Sequence, residues 1–170
     1  MHRRDALRSL TGLLGAAVAI PSWAQAWTPS ALEEPKLLGS TQKKVLTGMV
    51  DAILPKTDTP GAAELGVQRF VELMVQDCYE GPQRDLLKDG LDRLEAEAKN
   101  SKGKSFADLK GTERLELIQK WASGPDKSNR DFTQLVKDLT IHGYVNSEYV
   151  MTHITKYELV PARYLGCVPV

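Results

Sequence analysis

The sequence predicts an all-α fold of about five or six helices, and three observations indicate it. In successive segments, apolar residues recur three and four positions apart, which is the spacing of one helix face. Glycine and proline pairs separate these segments, and no stretch alternates apolar and polar residues strongly enough to build a sheet. We therefore expect a compact bundle in a single helical domain over residues 40–170, preceded by an extended arm over residues 27–39 and ending in an irregular apolar tail.

Residues 1–26 have the composition of an export signal rather than of a folded element. Arg3 and Arg4 precede an apolar run over residues 10–20, which is shorter than the roughly 20 residues of a membrane span. The segment ends in the small-residue pattern Ala24-Gln25-Ala26, so we expect cleavage after Ala26. The paired arginines indicate the twin-arginine route to the periplasm. An ordinary Sec signal, or an uncleaved signal that anchors the chain at the membrane, is the alternative.

The net charge of the chain argues against nucleic acid as a partner. The sequence contains 22 basic and 22 acidic residues. Because the predicted signal contains more basic than acidic residues, the exported part would carry a small negative charge. Such a chain has no electrostatic footprint for nucleic acid or for anionic lipid.

The exported part begins with an arm and a helix. Residues 27–39 contain two prolines and show no periodicity, so we interpret them as an extended arm of the kind that often lies on a partner. Ser40 or Thr41 can cap the first helix. Pro55 ends that helix, because proline disfavours helical geometry in the residue before it. The apolar residues of the helix form one stripe: Val45, Leu46, Met49, Val50, Ile53 and Leu54.

The second and third helices follow a polar turn. The second begins either at Thr59, with Pro60 in the first helical position, or near Val67. It extends to Cys78, and Gly81-Pro82 ends it. The third covers residues 83–99 and is followed by a loop over residues 100–104. The charged residues of the third helix are expected to form a solvated face: Asp85, Lys88, Asp89, Arg93, Glu95 and Glu97.

The second half of the chain continues the pattern. Ser105 and Asp108 have the spacing of a capping box, and a helix from Thr112 ends before Gly124. The next helix covers residues 129–142, and Gly143 has the position of the left-handed residue that closes many helices. A short helix carrying Val150 and Met151 follows. From Tyr157 onwards, an apolar, proline-containing tail must pack on its own domain or on another chain.

The two cysteines, Cys78 and Cys167, are predicted to form one disulfide in an oxidising compartment. Two buried thiols, or one cysteine bridged to a partner subunit, are the alternatives.

The motifs of common catalytic and cofactor sites are missing from the sequence. It contains no Gly-x-Gly for a dinucleotide turn and no Cys-x-x-Cys for haem, zinc or an iron–sulfur cluster. We therefore expect no catalytic residue, no cofactor-binding residue and no metal ligand in this chain. Asp58 could be a catalytic carboxylate, but it also suits a turn that needs side-chain acceptors. His153 could pair with Glu148, but a lone histidine is more often a surface or packed residue. A free-standing periplasmic helical enzyme or binding protein is the functional alternative.

Three landmarks in order give the chain a resemblance to a known family. They are the segment Asp51 to Ala62 with its Leu-Pro and Thr-Pro-Gly-Ala elements, the turn Gly143 to Glu148, and the end from Tyr157 to Pro169. From Thr41 onwards the chain resembles the gluconate 2-dehydrogenase subunit 3 family. Members of that family are small non-catalytic subunits of bacterial membrane-associated, flavin-dependent sugar dehydrogenases. At Pro161-Ala162 this chain departs from the Pro-Gly of the family pattern.

The resemblance implies a partner rather than a reaction in this chain. The partner would be a large flavoprotein of the glucose-methanol-choline type that binds FAD, commonly with a c-type cytochrome whose haem c takes the electrons. The small subunit would support the export, folding and stability of the large one, which would oxidise a sugar, a sugar acid or a glycoside. Membrane association would come only through the complex. The residues expected to contact the partner are Pro55, Asp58, Pro60, Gly61, Tyr157, Pro161 and Tyr164.

Overall fold

The structure is a computed structural model that describes residues 34–158. Within that range it contains no strand, and the predicted all-α class is confirmed. A 3₁₀ turn, Phe106–Asp108, follows the third helix, and a π-helical turn, Val150–Ile154, follows the fifth. The five α-helices are α1 Ser40–Ile53, α2 Val67–Cys78, α3 Gly81–Lys102, α4 Gly111–Ser123 and α5 Lys127–Val145.

Several sequence predictions lie outside the described residues. They are the signal with Arg3, Arg4 and its cut after Ala26, most of the arm, and the tail residues Pro161, Tyr164 and Cys167. The chain divides into two units between Glu34 and Pro35, and every described helix belongs to the second unit. Between residues 34 and 158, none of the helices has both the length and the apolar character of a membrane span.

Helices α1 and α5 form the centre of the bundle, because each of them contacts the other four helices. The apolar stripe predicted for α1 faces the core, because Val45, Leu46, Met49 and Val50 are almost completely buried. Helix α5 contributes Phe132, Val136 and Leu139 to the same core. The largest fully buried side chains outside α1 are Leu87, Leu91, Leu94, Phe106 and Phe132.

Helix α5 does not end where the sequence predicted. It continues through Gly143 to Val145, and Gly143 is buried without a left-handed backbone. A Cβ added there would lie 2.6 Å from Phe70 Cδ1 and 2.9 Å from Val67 Cγ1. This glycine therefore allows α2 and α5 to approach closely, and the prediction that it closes the helix was wrong.

Two predictions around helix ends also need correction. Helix α3 runs through most of the predicted loop to Lys102 and ends at Gly103, whose φ of 69° is the left-handed conformation that glycine adopts easily. Ser105 does not form a capping box with Asp108. Its hydroxyl donates instead to Glu95 Oε2 at 3.1 Å.

The last residues of the predicted arm pack on their own domain. Lys36 donates its backbone N–H to Gln76 Oε1 at 2.9 Å, and Leu38 donates to Glu72 Oε1 at 3.0 Å. The Glu72 side chain is buried, and Leu38 is buried beside it. Residues 35–38 are therefore fixed against α2 rather than extended away from the domain.

Candidate partner interface

Three segments meet at one end of the helical domain, which we call the loop end: residues 54–66 between α1 and α2, the last turn of α5, and residues 146–158. Tyr144 connects the first two, because its hydroxyl donates to the Pro60 carbonyl at 3.2 Å and lies 3.3 Å from Thr59 Oγ1. Leu65 lines a shallow cavity together with Tyr149 and His153 of the third segment. Residues about 85 positions apart are thus brought together.

Backbone hydrogen bonds close residues 54–62 into a fixed loop. Ala62 N–H donates to Leu54 O at 3.0 Å, and Thr57 N–H donates to Thr59 O at 3.1 Å. Lys56 Nζ lies 2.8 Å from Glu64 Oε1 and spans the base of the loop. The hydrogen bond from Lys56 is the main cause of the lowered pKa of the Glu64 carboxyl. The second helix begins at Val67, the later of the two starts that the sequence left open.

Gly61 lets the loop close. It is buried, and a Cβ added there would lie 2.8 Å from Lys56 N and 3.2 Å from Leu54 O. Contacts this short with backbone atoms would force the loop to open, so the position requires glycine. Gly61 therefore supports the loop from inside.

The loop end exposes both polar and apolar side chains. Pro55 and Asp58 are exposed and Pro60 is half-buried. Val145, Ile154 and Tyr157 expose 47%, 53% and 56% of their surface, which places large apolar side chains in solvent on neighbouring segments. Apolar and aromatic side chains surrounded by polar ones are the usual composition of a protein–protein contact. Partner contact by Pro55, Asp58, Pro60, Gly61 and Tyr157 stays a prediction.

The two side chains considered for catalysis are not assembled into a site. Asp58 accepts no hydrogen bond from any described residue, so the turn forms without its carboxylate. His153 is exposed and stacks on Tyr149, with ring centroids 4.7 Å apart and planes inclined by 14°. Its Nδ1 lies 2.8 Å from Thr152 Oγ1, and no hydrogen bond joins it to Glu148. Residues 34–158 also contain no group of three or more histidine, cysteine or acidic residues that could hold a metal ion.

Sequence reasoning missed the roles of two acidic side chains of α3. Glu95 is 7% exposed and accepts from Phe106 N–H at 2.9 Å, from Ser105 Oγ, and from Lys99 Nζ at 3.0 Å. Burial raises the pKa of Glu95, but these hydrogen bonds outweigh burial, so the net shift is downwards. Glu97 accepts from Lys120 and Trp121, and the Lys120 bond is the main cause of its lowered pKa. The predicted solvated face is wrong for Glu95, which is buried, whereas the Glu97 side chain stays 27% exposed. No local sequence pattern reveals that both have partners on other elements.

Cys78 is exposed at the end of α2. Because Cys167 lies outside the described residues, the predicted pairing stays a prediction.

The described residues thus form an all-helical domain with a fixed loop and exposed apolar side chains at one end. The family profile for gluconate 2-dehydrogenase subunit 3 matches residues 40–161. The chain belongs to this family, as the resemblance indicated, and the family description indicates a subunit of a dehydrogenase complex. Searches of curated proteins and of solved structures found no match.

Proposed function

We propose that this chain is the small, non-catalytic subunit of a periplasmic, FAD-dependent dehydrogenase of the gluconate 2-dehydrogenase or glucoside 3-dehydrogenase type. Its partner is a large glucose-methanol-choline-type flavoprotein that oxidises a sugar, a sugar acid or a glycoside. The observation that carries the proposal is the closed 54–62 loop, which keeps exposed residues in one shape within a chain of this family.

The fixed loop suits recognition because its shape exists before the partner arrives. Ordering one residue of backbone costs about 1–2 kcal/mol, and a loop that is already ordered does not incur this cost on binding. The hydrogen bond from Tyr144 and the steric requirement at Gly61 hold residues 55–58, which themselves bury little surface. Exposed residues contribute little to a core even when they are held in one conformation. The fixed conformation of residues 55–58 therefore supports an external role for the loop.

The apolar side chains of the loop end extend the contact. Val145, Ile154 and Tyr157 lie on the segments next to the loop, and the sequence after Glu158 continues as an apolar tail. Burying large apolar side chains would stabilise a complex by roughly 25 cal/mol for each Å² removed from water. A partner surface with apolar pockets would match this end of the domain.

The remaining parts of the proposal rest on the sequence. The paired arginines at the N-terminus support export of this chain by the twin-arginine route, which carries folded proteins. A large subunit with FAD already bound would travel with it, and this chain would aid its folding and stability. FAD would be bound by the large subunit, and haem c by a cytochrome as third subunit.

Isolation of the native complex tests the proposed function. A C-terminally tagged chain is purified from the periplasm of its source, and the eluate is analysed by mass spectrometry and by its absorbance spectrum. The expected result is a stoichiometric, larger protein with a flavin spectrum and sugar-oxidising activity. A colourless monomer from cells that express the dehydrogenase would contradict the proposal.

A further inference from the structure

A notch lies beside the loop end, between α1, α4 and the 3₁₀ turn. It is an open cavity of about 370 Å³. Among the residues that line it are Lys44, Gly48, Asp51, Ala63, Ala107 and Arg114. We call it the α1–α4 notch.

Arg114 forms a fixed wall of the notch. Its Nη1 donates to Asp51 Oδ2 at 3.0 Å, and its Nη2 donates to the Ala107 carbonyl. The guanidinium lies against Gly48, since a Cβ added there would be 3.6 Å from Arg114 Cζ. Because the Arg114 and Asp51 charges largely balance, this pair gives the notch a shape rather than a net charge.

Lys44 provides the net positive charge at the rim. It is exposed, and no described residue accepts a hydrogen bond from it or pairs with it. Lys43, which also lines the notch, in contrast donates to the Pro35 carbonyl at 2.8 Å and lies 3.5 Å from the buried Glu72 carboxylate. One uncommitted ammonium group therefore lies at the mouth of a cavity with small side chains on its walls.

We propose that the α1–α4 notch receives an acidic side chain of the large partner subunit, which pairs with Lys44. The inference rests on the proposed function, because it needs that partner. Gly48, Ala63 and Ala107 leave room for an aspartate or glutamate side chain. The notch also continues the loop end, because Ala63 follows directly on Ala62, the residue that closes the loop. Opposite charges on the two surfaces would set the orientation of the subunits and speed their encounter.

A carboxylate on a polypeptide fits the notch better than a free sugar acid does. A sugar needs several hydroxyl partners and commonly an aromatic face, and none of the described residues lining the notch is aromatic. Thr47 also lines the notch, but its hydroxyl already donates to the Lys43 carbonyl at 2.8 Å. Two groups of the notch have no hydrogen-bond partner among the described residues: the Arg114 Nε, which is buried, and the Lys44 ammonium, which is exposed at the rim. A single carboxylate is sufficient to pair with the Lys44 ammonium.

Carbodiimide cross-linking of the purified native complex tests the proposal directly. The reagent joins a lysine amine and a carboxylate in contact by an amide bond, while the carbodiimide takes up the oxygen and becomes a urea. The expected product is a peptide in which Lys44 is joined to an aspartate or glutamate of the large subunit. Lys137 is the matched control, because it is exposed on α5 away from the notch, and it should give no such product.

Charge reversal provides the second measurement. Lys44→Glu should weaken retention of the large subunit about tenfold at low ionic strength, and Lys137→Glu less than about twofold. A complex in which Lys44 forms no intersubunit cross-link, or in which Lys44→Glu behaves like Lys137→Glu, overturns the notch proposal and leaves the proposed function intact. A sugar-acid adduct on Lys44 also overturns it. If no flavoprotein co-purifies with the wild-type chain, the proposed function itself is contradicted.

Discussion

The two longer connections between helices differ in what they hold in place. Residues 54–66 join α1 to α2, and residues 103–110 join α3 to α4. In the second connection Phe106 is completely buried and Leu109 almost completely. The Glu95 carboxylate stabilises this connection by accepting a hydrogen bond from the Phe106 N–H. The first is also fixed, yet its residues 55–58 are exposed. An ordered connection can therefore stabilise the core, as the second one does, or keep exposed residues in a fixed conformation, as the first one does. The burial of its side chains distinguishes the two cases.

The largest expected effect comes from removing the Glu95 carboxylate, which accepts hydrogen bonds from the connection between α3 and α4. Glu95→Ala should lower the free energy of unfolding by about 3 kcal/mol, because the amide of Phe106 and the hydroxyl of Ser105 lose their acceptor while they remain buried. Urea denaturation measures this decrease in the free energy of unfolding. Glu116→Ala is the control, since Glu116 forms only a surface pair with Lys102 at 3.6 Å and should cost less than about 1 kcal/mol. Equal effects of the two variants would contradict the assigned role of Glu95.

The next effect concerns the glycines of the two connections. Gly61→Ala should destabilise the chain by about 2 kcal/mol, because the new Cβ meets backbone atoms of Leu54 and Lys56. Gly103→Ala should cost about 1 kcal/mol from its left-handed backbone alone, since nothing lies within 4 Å of its Cβ position. Only Gly61→Ala should also weaken retention of the large subunit. If both variants weaken it alike, the loop has no special part in the contact.

Acid should cost the buried connection more stability than the exposed one. The folded-state pKa of Glu95 is lowered, so its contribution to stability is present above its unfolded pKa of about 4.3 and is lost as the pH falls through the folded value. The Glu64 pair with Lys56 is exposed and contributes less. Denaturation followed between pH 6 and pH 3 should therefore show a steeper loss for the wild type than for Glu95→Gln. Parallel curves would show that other groups dominate the acid response.

The smallest expected effect comes from a single hydroxyl at the loop end. Tyr144→Phe removes the hydrogen bond to Pro60 and should cost about 1 kcal/mol of stability. It should also weaken the large-subunit contact, because residues 55–58 are then less well fixed. Tyr79→Phe is the control, since that hydroxyl makes no bond to a described residue. A Tyr144→Phe variant with unchanged affinity would show that the fixed shape is not used.

Helical spacing alone predicted the helical class and the apolar stripe of α1, but it left the start of α2 open between Thr59 and Val67. It failed where one residue type serves two purposes. Gly143 had the position of a helix-closing glycine, yet the structure uses it for the approach of α2 to α5. Glycine meets either demand, and only the neighbouring helix decides which one applies.

The candidate site was less predictable than the fold. The sequence singled out the loop from Pro55 to Gly61, but it gave no sign that Tyr144, more than 80 residues later, holds that loop. Glu95 was read as a surface residue because charged residues surround it, and its acceptor role depends on an amide 11 residues away on another element. Long-range hydrogen bonds of this kind leave no periodic pattern in a sequence.

Amide hydrogen exchange on the free chain and on the purified native complex tests the central claim most directly. The claim is that the 54–62 loop is already ordered in the free chain and is covered by the large subunit. It predicts slow exchange at the bonded amides of Thr57 and Ala62 in the free chain, and new protection at the amides of Lys56 and Asp58 in the complex. Residues 103–110 should exchange alike in both states. Unchanged exchange at Lys56 and Asp58, or equal new protection of both connections, would contradict the account.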